Sequence, residues 1–167
     1  MKKLISITAV LLLVIAVTTT VNAQYKSVAK NEKIVSPYEH PTKEIENTRP
    51  LRKFRKEFPG ITDDSWIKSK NGFVVRFTSN GIQNWAFLTN RGNCEGRMRY
   101  YKEKDLPADV RHQVKSNYYD YSITSVQEVT CNNSTAYLVT IEYKNIWKVI
   151  RVVDGELDVW KNYIKAG

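Results

Sequence analysis

The side chains able to act as nucleophiles, bases or metal ligands are few in this chain and lie far apart. Cys94 and Cys131 lack the Cys-x-x-Cys spacing that redox and zinc sites use. His40 stands in a polar segment without a second histidine or cysteine nearby, and His112 falls on the polar side of a predicted helix. A catalytic nucleophile needs a base within hydrogen-bonding reach, and the sequence offers no such pair. We therefore expect no enzymatic activity, no cofactor and no metal site.

The two cysteines have a second chemistry, which is a disulfide bond. In an oxidising compartment two cysteines can form one bridge, and the N-terminus described below indicates export. The alternative is two isolated thiols, because the sequence does not give the Cα separation that a bridge requires. A possible disulfide between Cys94 and Cys131 therefore stays open at this point.

Arginine and aromatic side chains form the larger set of candidates. Successive strand residues point to opposite faces, so Phe73, Val75 and Phe77 share one side of a strand and Arg76 lies on the other. We predict that the face turned away from the helices carries these protein-binding candidates: Arg76, Arg97, Arg99, Tyr101, Trp147, Arg151 and Trp160. Such residues are enriched at protein interfaces. The alternative is ordinary cross-strand pairing, in which aromatics and arginine stems stabilise a one-layer sheet.

Two helices and eight strands are predicted to position these side chains. Apolar residues recur at helical spacing in two segments: Leu51, Phe54 and Phe58, and then Val110, Val114 and Tyr118. Alternating segments bounded by turn residues predict the strands Ile61–Ser69, Phe73–Thr78, Ile82–Thr89, Cys94–Tyr101, Ile123–Thr130, Ala136–Tyr143, Ile146–Val153 and Glu156–Ile164. Asn80-Gly81 is a strong hairpin signal, because both residues accept the positive φ of a tight turn.

The predicted elements occur twice in the same order. Phe54 and Val114 are displaced by 60 residues, and Phe73 and Tyr137 by 64. We therefore predict an α+β fold of two tandem units, residues 49–104 and 105–167. Each unit has one helix and a four-stranded antiparallel meander, and the helices pack on one face of an extended curved sheet.

Several short motifs resemble those of PepSY-like exported proteins of Bacteroidetes, which share the fold of the β-lactamase inhibitory protein (BLIP). Phe58-Pro59-Gly60 closes the first helix before the Trp66 strand, and Leu106-Pro107-Ala108 opens the second helix. Tyr118-Tyr119-Asp120 departs from the pattern, because Pro-Gly is expected there. The resemblance implies a non-catalytic binding or inhibitory module that acts through its sheet. A small-ligand carrier with a pocket between sheet and helices is the alternative function.

The N-terminus predicts export to the periplasm or beyond. A basic start, an apolar segment and a small-residue cleavage site at Ala23 are typical of a secretory signal peptide over residues 1–23. No cysteine follows for a lipid anchor, and no transmembrane anchor is expected after cleavage. Residues 24–48 are polar and predict a flexible leader. Loss of Lys2 and Lys3 lowers the net charge from +9 to +7, which favours solubility or an acidic protein or peptide partner; nucleic acid is not expected.

Overall fold

The computed structural model describes Ile45 and residues 48–164. Within them the chain forms helix α1 (Arg49–Glu57), a short 3₁₀ helix (Glu103–Asp105) and helix α2 (Ala108–Asn117). The strands are β1 (Ser65–Ser69), β2 (Gly72–Ser79), β3 (Ile82–Thr89), β4 (Cys94–Tyr101), β5 (Ser122–Cys131), β6 (Ser134–Tyr143), β7 (Ile146–Val153) and β8 (Glu156–Ile164). The predicted α+β class and the order of its elements are confirmed.

All eight strands form one antiparallel sheet in chain order, so each strand pairs with the next along the sequence. Tight turns make this order possible. Asn80 and Gly81 have φ values of 51° and 73°, and Asp154 and Gly155 have 50° and 80°. Two successive positive φ values match the right-handed twist of the strands on either side. The predicted meander therefore follows from local turn chemistry.

Helix α1 is fixed at its start by a cap and at its centre by aromatic packing. The Thr48 hydroxyl accepts a hydrogen bond from the Leu51 backbone N–H at 3.5 Å, and Pro50 lies in the first turn. Phe54 is fully buried. Its ring centroid lies 5.1 to 5.4 Å from those of Phe58, Trp66 and Phe77. These contacts bind α1 to strands β1 and β2.

Helix α2 packs on the second half of the sheet with smaller side chains. Val110 and Val114 are buried in one cluster with Val126, Val139 and Ile150 from strands β5, β6 and β7. Branched aliphatic side chains fill this contact, where α1 uses aromatic rings. A second hydrophobic cluster thus forms beside the first.

The strand register shows which side chains share a face with the helices, because cross-strand partners point the same way. Trp66, Val75 and Ala86 form one row beneath α1, and the row continues through Arg97 to Thr130. We call this side the helix face. The opposite side, which neither described helix covers, is called the open face.

Two sequence predictions fall largely outside the described residues. The signal peptide, residues 1–23, lies wholly outside them. Of the predicted leader, Ile45 and Thr48 belong to the folded structure: Ile45 is buried in the cluster beneath α1, and its carbonyl accepts a hydrogen bond from the Thr48 hydroxyl.

Candidate functional site

The register divides the seven predicted binding residues between the two faces. Three lie on the open face by direct pairing: Arg76 opposite Trp85, Trp147 opposite Tyr163, and Arg151 opposite Asp158. Trp160 has no cross-strand partner in the register, and its ring lies against the ammonium group of Lys161, which pairs with Val149 on that face. The remaining three lie on the helix face: Arg97, Arg99 and Tyr101. The face predicted for these three is wrong, while a binding role for any of the seven stays a prediction.

The error arose because strand β4 carries apolar side chains on the face turned away from the helices. Met98 alternates with Arg97 and Arg99, so a hydrophobic pattern assigns Met98 to the core beneath the helices. Met98 is indeed only 1% exposed, but it pairs with Trp85 and Val129 on the open face. Both faces of the sheet are apolar near its centre, and hydrophobicity alone does not distinguish them.

A β-bulge in β8 changes which aromatic residues reach the open face. Ile150 pairs with Val159, but Val149 pairs with Lys161, so Trp160 is the extra residue. The Lys161 ammonium lies 4.5 Å from the centroid of the Trp160 ring, which places the two side chains together. Beyond the bulge the alternation is reversed, and Tyr163 joins Trp147 on the open face. Regular alternation along β8 does not predict the bulge and assigns Tyr163 to the helix face. Tyr163 is therefore absent from the predicted protein-binding candidates.

The open face holds two of its arginines in defined contacts. The Arg76 guanidinium lies 5.2 Å from the Trp85 ring centroid, and Trp85 in turn lies 5.9 Å from the Tyr100 ring. Arg151 donates two hydrogen bonds to Asp158, from Nε at 2.9 Å and from Nη2 at 3.1 Å. Such contacts are what the alternative of ordinary cross-strand pairing predicts. They also hold the guanidinium groups in fixed positions.

The open face combines an apolar centre with an aromatic margin. Met98, Ala136 and Leu138 are buried at its centre. Toward β8, the last strand of the sheet, Trp147 is 40% exposed and Tyr163 is 51% exposed. We call Trp147, Trp160 and Tyr163 the aromatic margin. An apolar centre bordered by aromatic and charged residues is the arrangement found in protein interfaces.

The arginines of the helix face differ in their partners. Arg99 donates from Nη1 to both carboxylate oxygens of Glu128, at 3.1 and 3.0 Å, and the Tyr101 hydroxyl donates to Glu128 Oε2 at 2.6 Å. Burial, together with the Glu128 hydrogen bond and charge, raises the pKa of Tyr101 well above its usual range. Glu128 is thus satisfied by two donors. Among residues 48–164, no side-chain hydrogen bond or ion pair involves the Arg97 guanidinium.

The two cysteines are free thiols on opposite faces of the sheet. Cys94 packs against the cluster beneath α1, whereas Cys131 pairs with Gly96 on the open face. A disulfide is therefore absent between them, which corresponds to the alternative of two isolated thiols. Burial, with a smaller contribution from Glu57, raises the pKa of Cys94 to about 11. A thiol that stays protonated at neutral pH is a poor nucleophile.

Four further features of the described residues concern a metal site, His112, a ligand pocket and membrane spans. No group of three or more His, Cys, Asp or Glu side chains within them could hold a metal ion. His112 is exposed on α2, as predicted. The ring contacts of Phe54 hold α1 against β1 and β2, and the alternative of a small-ligand carrier stays open. None of the helices in this part of the chain is long and apolar enough to span a membrane.

Comparison with known proteins identifies the fold. No model of a known protein family matches the chain, and no curated protein does. A DUF2874 family protein from Bacteroides uniformis has a TM-score of 0.57 at 11% identity, over 70% of this chain and 88% of that chain. A BLIP-like protein, BF1215, from Bacteroides fragilis has a TM-score of 0.56 at 17% identity, over 70% of this chain and 84% of that chain. A proposed periplasmic protein from Bacteroides eggerthii has a TM-score of 0.56 at 16% identity, over 70% of this chain and 86% of that chain. The predicted resemblance to BLIP-like proteins is confirmed at the level of the fold.

Proposed function

We propose that this protein is an exported, non-catalytic binding module that engages a protein or peptide through the open face of its sheet. The observation that carries the proposal is the aromatic margin beside an apolar centre. A large aromatic side chain that stays 40% exposed on an otherwise folded sheet, as Trp147 does, is an available anchor for a partner. Tyr163 stands directly across from it and enlarges the same surface.

Three narrower statements accompany this proposal. The chain consists of two tandem units, residues 49–104 and 105–167; equivalent buried residues support this, since Trp66 pairs with Val75 as Val126 pairs with Val139. It acts in the periplasm or outside the cell, which the predicted signal peptide and the proposed periplasmic neighbour support. Inhibition of a partner enzyme is the most specific form of the function, and its support is the BLIP-like fold.

Affinity capture with matched variants tests the proposal. The immobilised protein is incubated with the native envelope fraction, retained proteins are identified by mass spectrometry, and the candidate partner is purified and rebound. Trp147→Ser should weaken rebinding by about thirtyfold, the effect of losing an aromatic hot spot. Tyr119→Ser is the control, because Tyr119 is an aromatic residue of 82% exposure that follows α2 and lies outside the sheet.

The stability of each variant distinguishes a role of Trp147 in partner binding from a role in cross-strand pairing. Trp147 is partly exposed, so Trp147→Ser should change the free energy of unfolding by only about 0.5 kcal/mol, as surface substitutions do. If the Trp147 variant instead unfolds, or if it rebinds the partner as well as the Tyr119 variant does, the aromatic margin serves only cross-strand pairing. The proposal would then be wrong.

A further inference from the structure

The helix face of β4 lies between the two hydrophobic clusters. The cluster beneath α1 takes its strand residues from β1 to β3, and the cluster beneath α2 takes most of its strand residues from β5 to β7. Arg97 occupies the strip between them and is flanked across the sheet by Ala86 and Thr130. These two side chains are too short to enclose an arginine. Arg97 is half-buried, and open space lies beside it.

This open space is a cleft of about 190 Å³. Both apolar and polar side chains line it, among them Phe58, Phe77, Ile82, Asn84, Arg97 and Arg99. We call it the Arg97 pocket. A larger cleft of about 490 Å³ shares Asn80 and Ile82 with it and carries Lys102 and Lys104 on its border. Basic side chains outnumber acidic ones among the residues that line the two clefts, where Asp105 is the one acidic residue.

The charges around the pocket favour an anion with a single negative charge. Arg99 is neutralised by Glu128, whereas no ion pair within residues 48–164 neutralises Arg97. Glu57 contributes to the raised pKa of the neighbouring Cys94 thiol, but within residues 48–164 it forms no ion pair with Arg97. A cation partly withdrawn from water without a counter-charge is unfavourable and attracts an anion. The nearby Glu128 carboxylate would repel a doubly charged group such as phosphate more strongly than a carboxylate.

The size of the pocket limits what can carry this anion. Pockets for small molecules usually measure about 300 to 1,000 Å³, so a cleft of about 190 Å³ accommodates a single side chain or chain end. The planar guanidinium group matches a carboxylate with two parallel hydrogen bonds. Phe58 and Phe77, whose ring centroids lie 4.8 Å apart, offer apolar contact to the carbons that bear it.

We propose that the Arg97 pocket binds the carboxylate of an extended protein segment, with the rest of the segment lying along the larger cleft past Lys102 and Lys104. The carboxylate comes from a Glu or Asp side chain or from a chain terminus, since both present the same group. The Arg97 pocket lies on the helix face, opposite the aromatic margin of the proposed function. If the Arg97 pocket binds no carboxylate, the proposed function of the open face is unaffected. If the open face binds no partner, the proposal for the pocket is likewise unaffected.

NMR titration of the exported protein, labelled with ¹⁵N, tests the proposal in low-salt buffer. Three probes are short N-acetylated peptides: an amide containing one Glu, the same amide with Gln, and an alanine peptide with a free terminal carboxylate. Sodium phosphate is the fourth. The Glu peptide, the free-carboxylate peptide or both should produce saturable shifts at the amides of Asn84 and Arg97. The Gln peptide should not, and which carboxylate binds identifies its source.

Matched variants complete the test. Arg97→Met should weaken carboxylate binding by about tenfold or more, while Arg91→Met, in the exposed β3–β4 turn, should leave it unchanged.

Since Arg97 has no described counter-charge, Arg97→Met should also unfold at the same urea concentration as the unchanged protein, or higher. If that variant does not fold, Arg97→Lys, which keeps the charge but not the fork, should show weaker carboxylate binding. Absent shifts, equal binding by the Arg97 and Arg91 variants, or phosphate binding as tight as carboxylate binding would each overturn the proposal.

Discussion

At the scale of single residues, the two cysteines illustrate how the faces of the sheet determine chemistry. Cys94 lies with α1 and Cys131 lies on the open face, so their sulfur atoms are separated by the sheet itself. We predict that iodoacetamide, added to the exported protein after denaturation without reductant, alkylates both thiols. Mass spectrometry should find two carbamidomethyl groups, and a protein that takes up none would contain the bridge that this geometry excludes.

The same residues show why the site was only partly predictable from the sequence. Arg76 could be assigned to the open face because its strand neighbours Val75 and Phe77 are both core residues of one cluster. Arg97 could not be assigned, because Met98 beside it is as apolar as a core residue yet lies on the other face. Alternation reports that two sides of a strand differ, but it does not report which side a helix covers.

At the scale of elements, the β3–β4 turn positions α1 through a glycine. Gly92 has a φ of 76°, and a Cβ atom there would lie 2.5 Å from the Pro50 Cα atom in the first turn of α1. Gly155, in the β7–β8 turn, has a nearly equal φ of 80° but no atom within 4 Å of the same position. The two glycines thus share their backbone requirement and differ only in close contact.

We predict that this difference appears in stability. Gly155→Ala should cost about 1 to 2 kcal/mol of unfolding free energy, the strain of an alanine in the left-handed region. Gly92→Ala should cost about 1 to 3 kcal/mol more, because the turn must also move away from Pro50. Urea denaturation of both variants measures the two costs. Equal costs would mean that the turn does not fix the start of α1.

The order of the elements was predictable from the sequence, but the register shift at Trp160 was not. Helical spacing of apolar residues and the Asn-Gly and Asp-Gly turns are local signals, and they predicted the helices and the meander correctly. The bulge at Trp160 depends on how β7 and β8 meet, which is not encoded in the alternation of either strand alone. Tyr163 consequently moved to the face opposite the one predicted.

At the scale of the whole molecule, one continuous sheet carries two hydrophobic clusters on one face and an apolar centre on the other. The strip between the clusters leaves the Arg97 pocket, and the far face presents the aromatic margin near the last strand. A single layer of strands therefore offers two chemically different surfaces: a basic cleft for a carboxylate and an apolar, aromatic face for a protein. Both are proposals about the two faces of one sheet.

The most direct test of the open face as the binding surface is photocrosslinking in cells that produce the native partner. Benzoylphenylalanine is incorporated in place of Trp147 in one protein and in place of Tyr119 in another, and the cells are irradiated before their envelopes are analysed. We predict that the probe at position 147 forms a discrete crosslinked species with another protein, and that the probe at position 119 does not. A species formed from position 119 alone, or from neither position, would contradict binding through the open face.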